Sequence, residues 1–270
     1  MVLLLRKLVE GYNYVFYDLQ DARTRDWWPN LIALLIILTS YYYFCISLGP
    51  RIMKHRKPYE LKNVMLLYNS FQVIISIYML FKGISHIKWN FLYCKPVDYS
   101  ENLELKEQHF LAWIYLIVKF IDLLDTVFFV LRKKFGQISG LHLYHHTLMP
   151  AAIYIGFKYY PNGHGVFMGL INTFVHIIMY TYYLIAGLGP KFQKYLWWKR
   201  YVTVLQLVQF VLIFLQNLAP LLIGCDYPKW VNIGLCINSA LFVYLFGSFY
   251  RENYVKKDRM NNGCFEKKNK

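Results

Sequence analysis

Long apolar runs constrain this chain more than any other feature of its sequence. Stretches of about 20 residues with scarcely a charge recur along it, the length an α-helix needs to cross a hydrocarbon core of roughly 30 Å. Seven can be read, at 28–49, 64–83, 109–131, 141–157, 165–186, 201–223 and 230–249. The fourth is the shortest and holds three histidines, so hydropathy alone does not establish it. Of the 270 residues 57% are hydrophobic and only 17% charged, too little charge for a soluble domain of this length. Leu3-Leu4-Leu5 is too short for the apolar core of a cleavable signal, and Arg6-Lys7 follows it rather than preceding it. The expectation is an all-α integral membrane protein forming a single domain over 1–270. An N-terminal segment (1–27) lies along the membrane surface, seven helices fill 28–250, and a tail follows at 251–270.

The net charge of +15 would fit nucleic acid if it were spread evenly, and it is not. Seven crossings place the tail and the loops after helices one, three and five on one side. Those segments (50–62, 132–140, 188–200 and 251–270) hold 19 basic residues against 4 acidic, while the other side holds 10 against 9. This asymmetry predicts a lumenal N-terminus and a cytosolic C-terminus. The charge is mostly topology, with a second use in holding an anionic cytosolic ligand. The same topology puts Cys94 and Cys225 in lumenal loops, Cys45 and Cys236 in helices, and Cys264 in the tail. Only the lumenal pair meets an oxidising compartment, so Cys94 and Cys225 are either bridged or two free thiols.

Within the seven spans the formally charged residues, apart from Lys82 at the edge of the second, are Lys119, Asp122 and Asp125, all in the third. At helical spacing they fall on one stripe together with Thr126. Each would cost several kcal/mol facing lipid, so the stripe must face protein or a wet cavity. Lys119 can pair with Asp122 at i,i+3, and the second carboxylate argues for more than a structural ion pair. His142, His145 and His146 open the fourth span at i, i+3 and i+4, which gathers three rings on one face. Asn172 and His176 lie in the fifth, with Met179, Tyr180 and Tyr183 continuing that face. Thr203, Gln206 and Gln209 lie in the sixth, behind Lys199 and Arg200.

Depth links these clusters. At 1.5 Å per residue, Asp125, His145, His176 and Gln206 all lie within roughly 6–16 Å of the cytosolic ends of their helices. The lumenal halves read as almost entirely apolar and aromatic. A polar pocket open to the cytosol and continued by a greasy channel suits a ligand with an anionic head and a hydrocarbon tail.

Taken in order, these residues resemble the very-long-chain fatty acid elongases, the membrane 3-ketoacyl-CoA synthases. That family carries Lys-x-x-Glu-x-x-Asp-Thr, His-x-x-His-His, Asn-x-x-x-His-x-x-Met-Tyr-x-Tyr-Tyr and Gln-x-x-Gln. Here the motifs stand at Lys119 to Thr126, His142 to His146, Asn172 to Tyr183 and Gln206 to Gln209. One departure is plain: Asp122 occupies the Glu position, on a side chain one methylene shorter. The resemblance covers roughly 26–250 and implies seven helices, six of them in a closed bundle around an acyl tunnel. It also implies an endoplasmic reticulum membrane, which the lysine-rich end Lys267-Lys268-Asn269-Lys270 fits as a dilysine-like retrieval signal. The implied reaction condenses a long acyl-CoA with malonyl-CoA to 3-oxoacyl-CoA, CO2 and CoA, the first and rate-setting step of elongation. Reductases and a dehydratase that complete the cycle become expected neighbours, and homo-oligomerisation is left open.

The chemistry needs a nucleophile, and no Ser or Cys near the pocket stands out as activated. Imidazole can attack a thioester, so His145 or His176 is expected to carry the acyl chain transiently. His142 and His146 then serve as acid/base groups or stabilise an enolate oxygen. Asp122 and Asp125 orient the imidazoles. Lys119, Lys199, Arg200 and Arg251 hold CoA phosphates or the malonyl carboxylate. Asn172, Gln206 and Gln209 direct hydrogen bonds, with Thr126, Thr203, Tyr180 and Tyr183 beside them. No cofactor or metal is expected beyond the two CoA substrates. The rival readings are a histidine-box, metal-dependent desaturase or hydroxylase, a seven-helix receptor and a lipid transporter. For the first of these His55, His86, His109 and His164 are poorly placed, in loops or at helix ends.

Overall fold

The computed structural model describes residues 2–87 and 94–256, so Cys264 and the lysine-rich end lie outside the described residues. Among the described residues every regular element is helical. In chain order these are α1 (Val2–Asn13), α2 (Leu31–Tyr43), α3 (Gly49–Met53), α4 (Lys62–Ile84), α5 (Leu103–Ile121), α6 (Leu124–Leu131), α7 (Gly140–Tyr159), α8 (Val166–Leu188), α9 (Lys199–Ile223) and α10 (Lys229–Tyr250). A π-helical turn, Phe44–Leu48, joins α2 to α3 into one rod.

Among the described residues five rods are long and apolar enough to cross a membrane: Leu31–Met53, Lys62–Ile84, Val166–Leu188, Lys199–Ile223 and Lys229–Val255. The other two expected spans differ for visible reasons. The third, read as continuous over 109–131, is broken at Asp122–Leu123 into α5 and α6. It also begins six residues earlier, so that α5 carries Glu104, Lys106 and Glu107 besides Lys119. The fourth is the full helix α7, whose histidines dilute its apolar character. Residues 2–13, expected only as a mixed surface segment, are helical with Leu4, Leu5, Leu8 and Val9 exposed.

The chain groups into two compact units, one from the described parts of 1–61 and 97–166 and the other from those of 62–96 and 167–270. In the first, Asn30, Asn102 and Ser139 cap α2, α5 and α7, each accepting from a backbone N–H three residues on, at 2.9, 2.8 and 3.1 Å. These bonds satisfy donors that every helix start leaves open. Tyr41, Cys45 and Leu123 form a buried knot lined by Ile37, Phe120 and Leu143. α3 crosses α6 closely: a Cβ on Gly49 would stand 2.6 Å from Val130 Cγ1, so only glycine fits there. Away from the histidines, Asn162 exchanges two hydrogen bonds with the Asp98 backbone, at 2.8 and 2.9 Å. Arg23 joins the Asp98 and Ser100 carbonyls to the Asp21 carboxylate. Burial would raise the Asp21 carboxyl, but the hydrogen bonds and charge of Arg23 outweigh it and hold it below its ordinary value.

In the second unit α9 and α10 form an antiparallel hairpin. It turns at Gly224, whose φ of 75° favours glycine, while the Cys225 N–H caps the Pro220 carbonyl at 3.1 Å. Phe210 stacks on Phe242 at 4.9 Å between centroids. Cys94 and Cys225 are disulfide-bonded with Cα atoms 5.6 Å apart, across 131 residues of sequence. A bond closing so long a loop stabilises a fold by roughly 2–5 kcal/mol.

Buried polar side chains also stand away from the expected site residues: Lys158 near the end of α7, Gln216 and Asn217 in the second half of α9, and Asn232 at the start of α10. Asn217 shows how such groups are tolerated: its amide donates to the Ile213 carbonyl at 2.8 Å and to Gln216 Oε1 at 2.9 Å.

Candidate active site

The break between α5 and α6 builds one half of the site. Around Asp122 the helix tightens, with Leu123 N–H donating to Phe120 O and Asp125 N–H to Asp122 O, each one residue short of the α-helical reach. The turn carries Asp122 against Lys119, whose Nζ donates to Asp122 Oδ2 at 2.9 Å with both side chains almost fully buried. The shorter carboxylate therefore still meets its lysine. The Lys119 ammonium also lies 4.9 Å from the centre of the Tyr115 ring. Thr126, one turn on from Asp122, is completely buried, and Asp125 is half-buried.

The histidines come from the first two turns of α7, started by the Ser139 cap. The rings of His142 and His146 lie 4.2 Å apart, and those of His145 and His146 5.3 Å apart at 72°. The His146 ring also reaches the backbone at Asp122. Pro150, four residues after His146, has no N–H to give the His146 carbonyl, so this turn is held more loosely than the rest of the helix.

His142 ends a hydrogen-bonded chain that the sequence did not disclose. Its Nε2 lies 2.7 Å from Thr126 Oγ1, which lies 2.7 Å from Tyr41 Oη. Either hydroxyl can donate, so the chain can run in both directions and carry a proton to or from the imidazole. Tyr41 sits in a run of three tyrosines at the end of α2, and nothing in its spacing separates it from Tyr42 or Tyr43. Only the buried partner marks it.

In the second unit the expected residues lie on α8 and α9. Asn172, His176 and Tyr180 share one buried face of α8, with His176 and Tyr180 5.4 Å apart. Tyr180 Oη lies 3.3 Å from Tyr68 Oη of α4, which in turn accepts from Gln72 Nε2 at 3.1 Å. Tyr68 and Gln72 extend the polar face and were not anticipated, because α4 carries no histidine and its charges, Lys62 and Lys82, stand only at its two ends. Tyr183 continues the row at 5.9 Å from Tyr180. On α9, Thr203 and Gln209 are buried, and Gln206 donates to Met179 Sδ at 3.6 Å. Lys199, Arg200 and Arg251 are exposed.

Both sets are equipped for acyl chemistry: imidazoles as nucleophiles and bases, buried amides and hydroxyls as donors, and basic side chains at the water-exposed helix ends. Among the described residues no three His, Cys, Asp or Glu side chains gather where one ion could be held. His109, read as a helix-end residue, is buried within α5, where its Nε2 lies 3.2 Å from Asn162 Nδ2.

A membrane protein with a half-buried histidine box beside a buried lysine–carboxylate pair is the class that this arrangement defines. The sequence model of the ELO, or GNS1/SUR4, family matches residues 27–262, and the chain belongs to that family. It is 41% identical over 269 residues to a very long chain fatty acid elongase of Aedes aegypti, covering 97% of this chain and 75% of that one. It is 40% identical over 268 residues to very long chain fatty acid elongase 7 of Rattus norvegicus, covering 93% and 95%. Against very long chain fatty acid elongase 1 of Homo sapiens it is 42% identical over 236 residues, covering 85% and 84%. Family membership favours none of the rival readings, whether desaturase, receptor or transporter.

Proposed function

We propose that this chain is a very-long-chain fatty acid elongase condensing a long acyl-CoA with malonyl-CoA. The observation that carries the reading is the His142–His145–His146 cluster standing against the buried Lys119–Asp122 pair, in a chain of this family. The products are 3-oxoacyl-CoA, CO2 and CoA, with reductases and a dehydratase acting next. The architecture is a single membrane domain of seven spans, six of them closing around an acyl tunnel. It resides in the endoplasmic reticulum, with the N-terminus lumenal and the C-terminus cytosolic.

His145 or His176 attacks the acyl thioester carbonyl, and the C–S bond breaks to release CoA thiolate, which takes a proton. Malonyl-CoA then loses CO2, and its electron pair forms an enolate on the CoA thioester. The enolate carbon attacks the acyl-imidazole, restoring the histidine and forming the 3-oxo product. His142 and His146 move protons and stabilise the enolate oxygen, with Asp122 and Asp125 orienting them. Lys119, Asn172, Gln206 and Gln209 direct the carbonyl and carboxylate groups. Lys199, Arg200 and Arg251 grip the CoA phosphates. No cofactor takes part.

The test is incorporation of labelled malonyl-CoA into acyl-CoA by the purified protein. Two-carbon extension with release of one CO2 per turnover is expected, whereas no extension across a range of acyl-CoA lengths sinks the reading.

The hydroxyl chain adds a prediction. Tyr41→Phe leaves the ring in place but ends the chain at Thr126. It should lower kcat about tenfold, with KM for malonyl-CoA unchanged and the alkaline limb of the kcat–pH profile displaced. Unaltered kcat and profile would mean that Tyr41 only packs.

A further inference from the structure

Lys158 lies in the last turn of α7, thirteen residues beyond His145, and the condensation does not use it. It is buried, with 1% of its surface exposed. Its Nζ donates to three backbone carbonyls of one short turn: Thr24 at 3.1 Å, Arg25 at 2.8 Å and Trp27 at 2.5 Å. An ammonium has three N–H donors and no acceptor, and a carbonyl only accepts. The match is therefore complete for the charged form, while a neutral amine would set its lone pair against a carbonyl oxygen.

The turn is independently fastened around this contact. Asp21 N–H donates to the Lys158 carbonyl at 2.8 Å, and Thr24 Oγ1 donates to the Phe157 carbonyl at 2.9 Å. Trp113 Nε1 donates to the Trp28 carbonyl at 2.6 Å. The Tyr154 and Phe157 rings flank the ammonium at 5.9 and 5.5 Å. Oriented carbonyls that take the place of a hydration shell, with aromatic walls, are how proteins bind small cations.

We propose that residues 24–27 form a carbonyl receptor for a primary ammonium, which Lys158 fills in cis. We further infer that this latch fixes α7 along its axis, making Lys158 a positioning residue for the histidines at the other end. His145 lies about 20 Å away along the same helix at 1.5 Å per residue, so a slip of one residue's rise moves the imidazoles by about 1.5 Å. A misplacement of about 1 Å at a reacting group can cost about a hundredfold in rate. The receptor stands on its own, whereas the positioning role rests on the condensation proposed above.

The experiment is chemical rescue in the full-length purified protein. Lys158→Ala opens room for a small amine, and Lys158→Met keeps the apolar stem without the charge. Both should melt earlier than the native protein. Lys158→Ala should lose about tenfold or more in kcat with KM for malonyl-CoA little changed. Methylammonium should restore its melting temperature and its kcat, and tetramethylammonium, which has no N–H, should restore neither. Melting unchanged in Lys158→Met, or no rescue of Lys158→Ala, overturns the receptor. Melting restored without kcat overturns the positioning role alone. A native protein that extends no acyl-CoA sinks the functional reading, while the melting arm still reports on the receptor. If Lys158→Ala fails to accumulate, recovery of folded protein only when it is expressed with methylammonium supports the receptor, and recovery with neither amine overturns it.

Discussion

His145→Ala is expected to abolish malonyl-CoA-dependent extension, with a fall in kcat of about a thousandfold, the scale lost with a positioned nucleophile or acid/base group. The ring is half-buried, and its contact within the cluster is to His146. Truncation therefore removes chemistry without opening a large cavity, and the melting curve should hardly move. Quenching a reaction with acyl-CoA alone should trap the acyl chain on the native protein and show whether His145 or His176 bears it. An acyl group on neither, with no exchange of CoA before malonyl-CoA is added, would rule out the covalent route. Activity retained in His145→Ala would remove that residue from the mechanism altogether.

Lys119→Met should have the largest effect on stability. The partner carboxylate of Asp122 is left in a dry interior, and breaking one side of such a pair costs about 3–5 kcal/mol. Lys119 and Asp122 are three residues apart and 2.9 Å in contact, so their substitutions will not be additive. The double variant Lys119→Met/Asp122→Leu removes both charges and should recover most of the melting temperature while remaining inactive. Equal destabilisation in the single and double variants would show that the pair is not what holds the turn between α5 and α6. Asp122→Glu supplies the longer carboxylate of the family pattern. Its melting temperature and kcat show whether the native contact already has the reach it needs.

The apolar helices and the candidate site residues were legible for one physical reason: lipid tolerates few polar groups, so those that persist stand out. Lys119, Asp122 and the three histidines could be found by asking which side chains have no business in a membrane. Tyr41 could not, since a tyrosine near a helix end is unremarkable until Thr126, 85 residues later, turns out to be its partner. Lys158 was hidden in a similar way. At the end of a short span it reads as an interfacial lysine, and its carbonyl partners lie more than 130 residues earlier. The break at Asp122 was missed because periodicity reports which face a residue occupies and is insensitive to a single tightened turn. Gln216 and Asn217 of α9 and Asn232 of α10 were passed over because one Asn or Gln barely lowers the hydropathy of a long apolar run.

The link between Cys94 and Cys225 also sets a schedule for biogenesis. Cys225 leaves the ribosome 131 residues after Cys94, so the earlier thiol must be kept from other partners through the synthesis of α5 to α9. Oxidation can complete the second unit only when the turn of the last hairpin has been delivered to the same aqueous face. A host whose translocation stalls, or whose oxidising machinery is saturated, would release chains that are fully inserted yet unlocked. The fraction of this protein carrying a closed bridge is thus a readout of how well a cell has inserted it.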